Sequence, residues 1–138
     1  MSTVITPEVS KRNKWYISRH KYYELKHYCL QYSEWEKMLK KLESSSYSTN
    51  DVVIDKDRSF NDPVGTVATL RAYYSSKIDE LKSIARQADP QLSKYILAAV
   101  ISEYPYHYLK TTMGIPCSKE TFYDRYRKFF FLLARARK

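Results

Sequence analysis

The chain has 138 residues, enough for one domain whose hydrophobic core needs no disulfide or metal to hold it. Only two glycines occur, which argues against glycine-rich phosphate loops and against an all-β fold with many tight turns. There are 24 Lys and Arg residues against 15 Asp and Glu residues. The resulting net charge of +9 favours a polyanionic partner such as nucleic acid.

No sequence motif in the chain carries catalytic or metal-binding chemistry. Neither a Walker phosphate loop nor a dinucleotide-binding fingerprint occurs, and no pair of cysteines has the CxxC spacing of a zinc site. The three histidines do not combine with carboxylates or cysteines into a metal-ligand pattern. We therefore expect a protein that is not an enzyme and that holds no metal and no cofactor.

The N-terminal residues and the cysteines predict a cytoplasmic protein. The sequence begins without an apolar stretch of signal-peptide length. No run approaches the roughly 18 apolar residues of a membrane span, so no membrane association is expected. Cys29 and Cys117 lie far apart in the sequence and are expected to be free thiols in a reducing compartment.

Residues 13–43 show the three- and four-residue spacing of apolar side chains that predicts helix. Ser33 offers a cap within this stretch, so two helices in close succession are predicted rather than one. We take residues 1–43 as an N-terminal helical segment. The serine-rich stretch that follows, residues 44–61, is predicted to be a polar linker.

The clearest helix start in the chain lies at Asp62 and Pro63, because aspartate caps a helix and proline fits its first turn. An apolar stripe predicts that this helix runs to about Ala88. The same signal recurs at Asp89 and Pro90 and predicts a fourth helix. Its inner face is predicted to carry Leu92, Tyr95, Ile96, Ala99 and Val100.

Two more helices are predicted near the C-terminal end. Pro105 opens a short helix over residues 106–113, and Gly114 ends it, because glycine tolerates the left-handed backbone found there. Ser118 caps the last helix, which is predicted to extend to about Ala136.

These elements predict an all-α fold, a small helical domain of five to six helices with a polar linker near residues 44–60. Residues 62–138 form the helical domain, and residues 105–137 have the order of a helix-turn-helix. In that motif the second helix enters the major groove of DNA by its N-terminal residues. From Ser118 onward there are seven basic and two acidic residues, as expected of a helix that faces a polyanion.

The two faces of the last helix differ in polarity. One face is predicted to pack on the core with Phe122, Tyr126, Phe129, Phe130 and Leu133. The other is predicted to face outward with Lys119, Glu120, Tyr123, Asp124, Arg127 and Lys128. Ser118, Thr121 and the exposed amide groups at the helix start are expected to suit a phosphate.

The layout resembles the phage late-gene transcriptional regulators of the ArpU/RinA type, which carry a sigma region-4-like helix-turn-helix. "YYELKHYCLQYSEWEKMLKKLESS" is similar to their N-terminal helical segment, and "DPVGTVATLRAYYSSKIDELKSIARQADPQLSKYILAAV" to their middle helix. "IPCSKETFYDRYRKFFFLLARA" is similar to their recognition helix. The resemblance implies that DNA is faced by Ser118, Lys119, Glu120, Thr121, Arg125, Arg127 and Lys128.

Two sets of DNA contacts are expected. The base-facing set is Ser118, Lys119, Glu120, Thr121, Tyr123 and Arg127. The phosphate-facing set is Arg125, Lys128, Arg135, Arg137, Lys138, Lys11, Arg12 and Lys14.

The expected function is therefore that of a non-enzymatic DNA-binding protein of phage or mobile-element origin, a transcriptional regulator. Two alternatives stay open. One is a small interaction protein that modulates a host nucleic-acid machine, such as a nuclease, a CRISPR effector or RNA polymerase. The other is a DNA-recognition subunit of phage packaging. Double-stranded DNA is the expected partner, and a homodimer is considered because helix-turn-helix proteins often bind as dimers.

Overall fold

The all-α prediction is confirmed by a computed structural model of the chain. The structure describes residues 13–43 and 63–137, without side-chain detail for residues 63–65, and this part contains no strand. The predicted linker lies outside the described residues. Six helices occur in the described part: α1 (Arg19–Leu30), α2 (Tyr32–Glu43), α3 (Pro63–Ala88), α4 (Ser93–Ser102), α5 (Tyr106–Thr111) and α6 (Lys119–Ala136).

Contacts divide the described residues into two compact units, and the division differs from the predicted one. The larger unit contains residues 13–31 and 80–137, and the smaller unit contains residues 32–43 and 63–79. Helix α1 therefore belongs with the C-terminal helices, although the sequence placed it in a separate N-terminal segment. Burial of the apolar face of α1 against α4 and α6 is the physical reason for this grouping.

The core of the larger unit forms where α1, α4 and α6 meet. Tyr22, Leu25 and Cys29 of α1 are fully buried, at the three- and four-residue spacing of one helical face. The predicted inner face of α4 is buried as expected, and so are the predicted core residues of α6: Phe122, Tyr126, Phe129, Phe130 and Leu133.

The helix boundaries follow the predicted capping signals with two exceptions. The predicted cap Ser33 lies inside α2, which begins at Tyr32, and α4 begins only at Ser93, without a side-chain cap hydrogen bond. Helix α3 begins at Pro63 and ends at Ala88, as predicted. The Asp89 carboxylate then accepts hydrogen bonds from the backbone N–H groups of Gln91 (2.9 Å) and Leu92 (3.2 Å). This arrangement satisfies amide groups that lead into α4.

The smaller unit is described by its own contacts. Trp35 and Leu42 of α2 are buried, and the Arg71 side chain donates a hydrogen bond to the Leu42 carbonyl at 2.9 Å. The Lys77 ammonium group lies 5.5 Å from the centroid of the Trp35 ring and 4.7 Å from that of Tyr73. Aromatic–cation contacts therefore add to its packing.

No described helix combines the length and the apolar character that crossing a bilayer requires.

Candidate nucleic-acid interface

The turn between α5 and α6 is fixed by several contacts. Gly114 has a φ of +68°, so it takes the left-handed conformation predicted for it. Ile115 is buried, and its N–H donates to the Leu109 carbonyl at 3.1 Å. The Tyr106 hydroxyl donates to the Cys117 carbonyl. Helix α5 ends at Thr111, two residues before the predicted Met113, because the chain already turns there.

The start of α6 is capped as the sequence predicts. Ser118 Oγ accepts a hydrogen bond from the Thr121 N–H at 3.2 Å and donates one to Thr121 Oγ1 at 3.0 Å. Ser118, Lys119, Glu120 and Thr121 are all exposed. The first turn of α6 therefore presents four of the six predicted base-facing residues to solvent.

Tyr123 does not face outward, and that prediction is wrong. Its side chain is only 7% exposed. It packs edge-on against Phe122 and Tyr126, and its hydroxyl accepts a hydrogen bond from the Tyr106 N–H at 3.4 Å. Tyr123 thus joins α6 to the start of α5 and has no surface left for a base edge.

Arg125 is engaged in ion pairs within the protein. Its Nε lies 3.2 Å from Asp89 Oδ2, and its Nη1 contacts Asp124 Oδ2. The same Asp89 carboxylate caps the turn into α4. The charge of Arg125 is therefore already countered, so it is poorly placed to add a phosphate contact.

Arg127 occupies an intermediate position. The residue is partly exposed, yet its Nε is covered and has no hydrogen-bond partner among the described residues. An uncompensated buried N–H of a charged group is unfavourable. Arg127 therefore combines a covered stem with a charge that no acidic group in the described residues neutralises.

The second half of α6 carries a cationic cluster built around Trp15, which we call the Trp15 cluster. The Trp15 ring meets the Phe131 ring edge-on, with centroids 5.4 Å apart. The ammonium groups of Lys14 and Lys128 lie 5.1 Å and 5.4 Å from the Trp15 centroid. The Arg135 guanidinium lies 5.7 Å from the Phe131 centroid. The cluster therefore brings together three of the predicted phosphate-facing residues.

None of the ion pairs within the described residues involves Lys14, Lys128 or Arg135. Lys128 and Arg135 are seven residues apart, so they lie two helical turns apart on one side of α6. The Trp15 cluster is thus a place where positive charge accumulates without a described counter-charge.

Arg137 behaves differently from Arg135, although only Ala136 separates them. Its guanidinium lies 3.7 Å from the Tyr28 centroid, and its Nη1 lies 3.5 Å from Glu80 Oε1. Tyr28 donates a hydrogen bond to the same Glu80 carboxylate at 3.0 Å. Burial, together with this hydrogen bond, raises the pKa of the Tyr28 hydroxyl to about 12. Arg137 therefore ties the end of α6 to α1 and α3.

Three predicted phosphate-facing residues, Lys11, Arg12 and Lys138, lie outside the described residues.

The middle of α6 is anchored by two tyrosine hydroxyl groups. The Tyr22 and Tyr126 hydroxyl oxygens lie 2.9 Å apart in the core. The Tyr22 ring also meets the Phe130 ring edge-on, with centroids 5.0 Å apart. Burial raises the pKa of both hydroxyls, so both stay neutral and share one hydrogen bond. This contact holds α6 in place on α1.

Sequence reasoning missed the role of Trp15 and Phe131. Phe131 is a large apolar ring outside the predicted core face of α6, and such a ring signals a packing partner. Trp15 lies in a basic segment before the first helix. No spacing rule connects the two, because they are far apart in the chain and meet only in the folded protein.

No group of three or more His, Cys, Asp and Glu side chains in the described part of the chain is placed to hold a metal ion. Comparison of the chain with protein-family models, with curated proteins and with solved structures finds no match.

Proposed function

We propose that the chain is a non-enzymatic protein that binds double-stranded DNA and acts as a transcriptional regulator of a phage or mobile element. In this proposal α6 is the helix presented to the duplex. The observation that carries it is that some of the predicted DNA-contacting residues form ion pairs within the protein and others do not. Lys14, Lys119, Arg127, Lys128 and Arg135 take part in no ion pair within the described residues.

Unpaired charge of this kind supports binding to a phosphate backbone. Lysine and arginine side chains that neutralise phosphates release the counter-ions condensed on DNA, and this release supplies most of the non-specific affinity. Charges that are already paired, such as those of Arg125 and Arg137, contribute less, because an ion pair must first be given up.

The first turn of α6 would supply base contacts. Lys119 can donate to the O6 and N7 acceptors of guanine, and Glu120 can accept from the N4 amino group of cytosine. Both side chains are exposed. Ser118 is occupied by its capping role, so it would contribute mainly by setting the helix start.

A binding assay tests the proposal. The full chain is titrated into random duplex DNA and into DNA from upstream of its own gene, between about 50 and 200 mM salt. With about five phosphates neutralised, log K should fall against log salt with a slope of about −4 to −5. Absence of binding to both DNAs at both salt concentrations would contradict the proposal.

A double variant tests the assignment to α6. Replacing Lys119 and Arg127 by glutamine should abolish preference for the upstream DNA while the protein stays folded. The matched control is Lys82→Gln with Arg86→Gln, which removes the same charge from exposed positions on α3. Equal loss in both double variants would mean that only net charge matters.

A second candidate is a small protein that docks on a host nucleic-acid machine. Exposed tyrosine favours it: Tyr23 is 42% exposed, and the partly exposed rings of Tyr104 and Tyr108 stack with centroids 4.1 Å apart. Tyrosine is enriched in protein interfaces. Capture of one defined protein from a nuclease-treated host lysate, lost on Tyr23→Ala, would favour this candidate over direct DNA binding.

A further inference from the structure

The segment before α1 is fixed to α6 by the side chain of Trp15. The backbone N–H of Trp15 donates to Asn13 Oδ1 at 2.8 Å, and the backbone N–H of Tyr16 donates to the Asn13 carbonyl at 3.0 Å, which folds this segment into a turn. Ile17, next in the chain, is buried. The Trp15 ring then packs against Phe131. The position of Lys14 is therefore set by its neighbour and by no ion pair within the described residues.

The positive charges of the Trp15 cluster favour the binding of an anion. Lys14 and Lys128 both lie within 5.5 Å of the same ring centroid. An indole attracts cations through its π-face, but two like charges close to one ring also repel each other. A phosphate bound beside either ammonium group lowers that repulsion, and Arg135, over the neighbouring Phe131 ring, adds a donor group suited to phosphate oxygens.

The choice of tryptophan at this position supports a role in placing charge. Trp15 Nε1 is covered and has no hydrogen-bond partner among the described residues. A covered N–H without an acceptor is unfavourable, and phenylalanine would fill much of the space without it. Tryptophan is, however, the side chain whose ring attracts cations most strongly.

We propose that Trp15 is a positioning residue that assembles a two-part phosphate clamp. Lys14 supplies one part from the N-terminal segment, and Lys128 with Arg135 supplies the other from α6. The clamp binds the sugar–phosphate backbone of duplex DNA, and it rests on the DNA binding proposed above. Because ammonium groups lie over the Trp15 ring, the site offers charge rather than a free stacking face, which favours a duplex over the unstacked bases of a single strand.

The test compares three variants of the full chain, Lys14→Gln, Trp15→Ala and Trp15→Phe, on random duplex DNA across a range of salt. Lys14→Gln removes one phosphate contact and should make the slope of log K against log salt shallower by about 0.9. Trp15→Ala removes no charge, yet it should produce a similar change, because Lys14 is no longer held. Trp15→Phe keeps a ring against Phe131 but attracts cations less strongly, so its slope should lie between those of wild type and Trp15→Ala.

The outcomes separate the clamp from the proposed function. If wild type does not bind duplex DNA, the proposed function itself fails. If wild type binds and folded Trp15→Ala keeps the wild-type slope, the clamp is wrong while DNA binding stands. Circular dichroism checks folding, and Phe131→Ala, read in the same way, takes the place of Trp15→Ala should that variant not fold. Tighter binding to single-stranded DNA, with tryptophan fluorescence quenching that is lost in Trp15→Phe, would overturn the assignment to a duplex backbone.

Discussion

The two halves of α6 are both charged, but they use their charges differently. Between Lys119 and Arg125 the charges have mixed signs, and Arg125 is paired with Asp89 and Asp124. From Arg127 to Arg135 all charged residues are basic, and none of them pairs with an acidic residue in the described part of the chain. The first half therefore uses charge partly to hold the fold, and the second half carries charge that no acidic residue in the described part of the chain counters.

The same helix can serve both purposes because its core face is continuous. Phe122, Phe129 and Leu133 are almost fully buried along it. The Tyr22–Tyr126 hydrogen bond adds a specific tie near its middle. The outward side chains can therefore be changed with little effect on packing, which makes the comparison between the halves testable by substitution.

The largest effect is expected from Lys128→Gln combined with Arg135→Gln. A charge-assisted contact is worth about 1.5–3 kcal/mol, so affinity for duplex DNA should fall by at least about a hundredfold. The slope against log salt should become shallower by about 1.8. Titration of fluorescent duplex DNA measures both quantities.

Lys82→Gln with Arg86→Gln is again the matched control, and it should lower affinity far less. A control that loses as much as the α6 variant would show that the second half of the helix has no special role.

The next effect concerns the hydrogen bond between the Tyr22 and Tyr126 hydroxyl groups, which holds the middle of α6 on α1. Tyr22→Phe or Tyr126→Phe alone leaves one buried hydroxyl without a partner and should cost about 1–3 kcal/mol of unfolding free energy. The double variant removes both hydroxyls and should cost less than the sum of the two. Urea unfolding of the three variants measures the coupling. Purely additive losses would mean that the hydroxyls do not depend on each other.

A smaller effect is expected at the cap of the first half. Ser118→Ala removes the side-chain acceptor and should cost about 1 kcal/mol of stability. Ser118→Asp keeps an acceptor and suits the helix dipole, so stability should stay near wild type. If the first turn of α6 approaches DNA, the new negative charge should nevertheless weaken binding. Unchanged binding by folded Ser118→Asp would place that turn away from the duplex.

The smallest effect on binding is expected for Arg125→Gln. Its ion pairs are partly exposed, so their loss should cost no more than about 1 kcal/mol of stability. The salt slope should change by less than it does for Lys128→Gln alone, because the charge of Arg125 is already countered. A change in salt slope as large as that of Lys128→Gln would mean that Arg125 leaves the Asp89 and Asp124 carboxylates to bind a phosphate.

The sequence could predict α6 well because the signals are local. Ser118 as cap and the apolar stripe from Phe122 to Leu133 follow from neighbouring residues, and both are confirmed. Tyr123 was misplaced because it lies at the border of that stripe, where periodicity alone does not decide burial. In the folded protein its hydroxyl contacts the Tyr106 N–H of α5, a contact that periodicity within α6 does not reveal.

The remaining errors come from contacts between distant parts of the chain. The packing of α1 against α4 and α6 moves the unit boundary away from the predicted linker. Two such contacts separate the predicted phosphate-facing residues. The Trp15–Phe131 contact brings unpaired basic residues together, whereas the Arg125–Asp89 pair already counters the charge of Arg125. Residue spacing carries no information on contacts between distant parts of the chain, so Arg125, Lys128 and Arg135 were all predicted to face phosphate.

The most direct measurement is an NMR titration of the full chain with random duplex DNA at low salt, following the backbone amides and the tryptophan indole N–H groups. We predict that the largest chemical-shift changes in the second half of α6 fall at Lys128 and Arg135, and that Lys14 and the Trp15 indole N–H also shift. Binding accompanied by changes elsewhere, with these four signals unmoved, would contradict it.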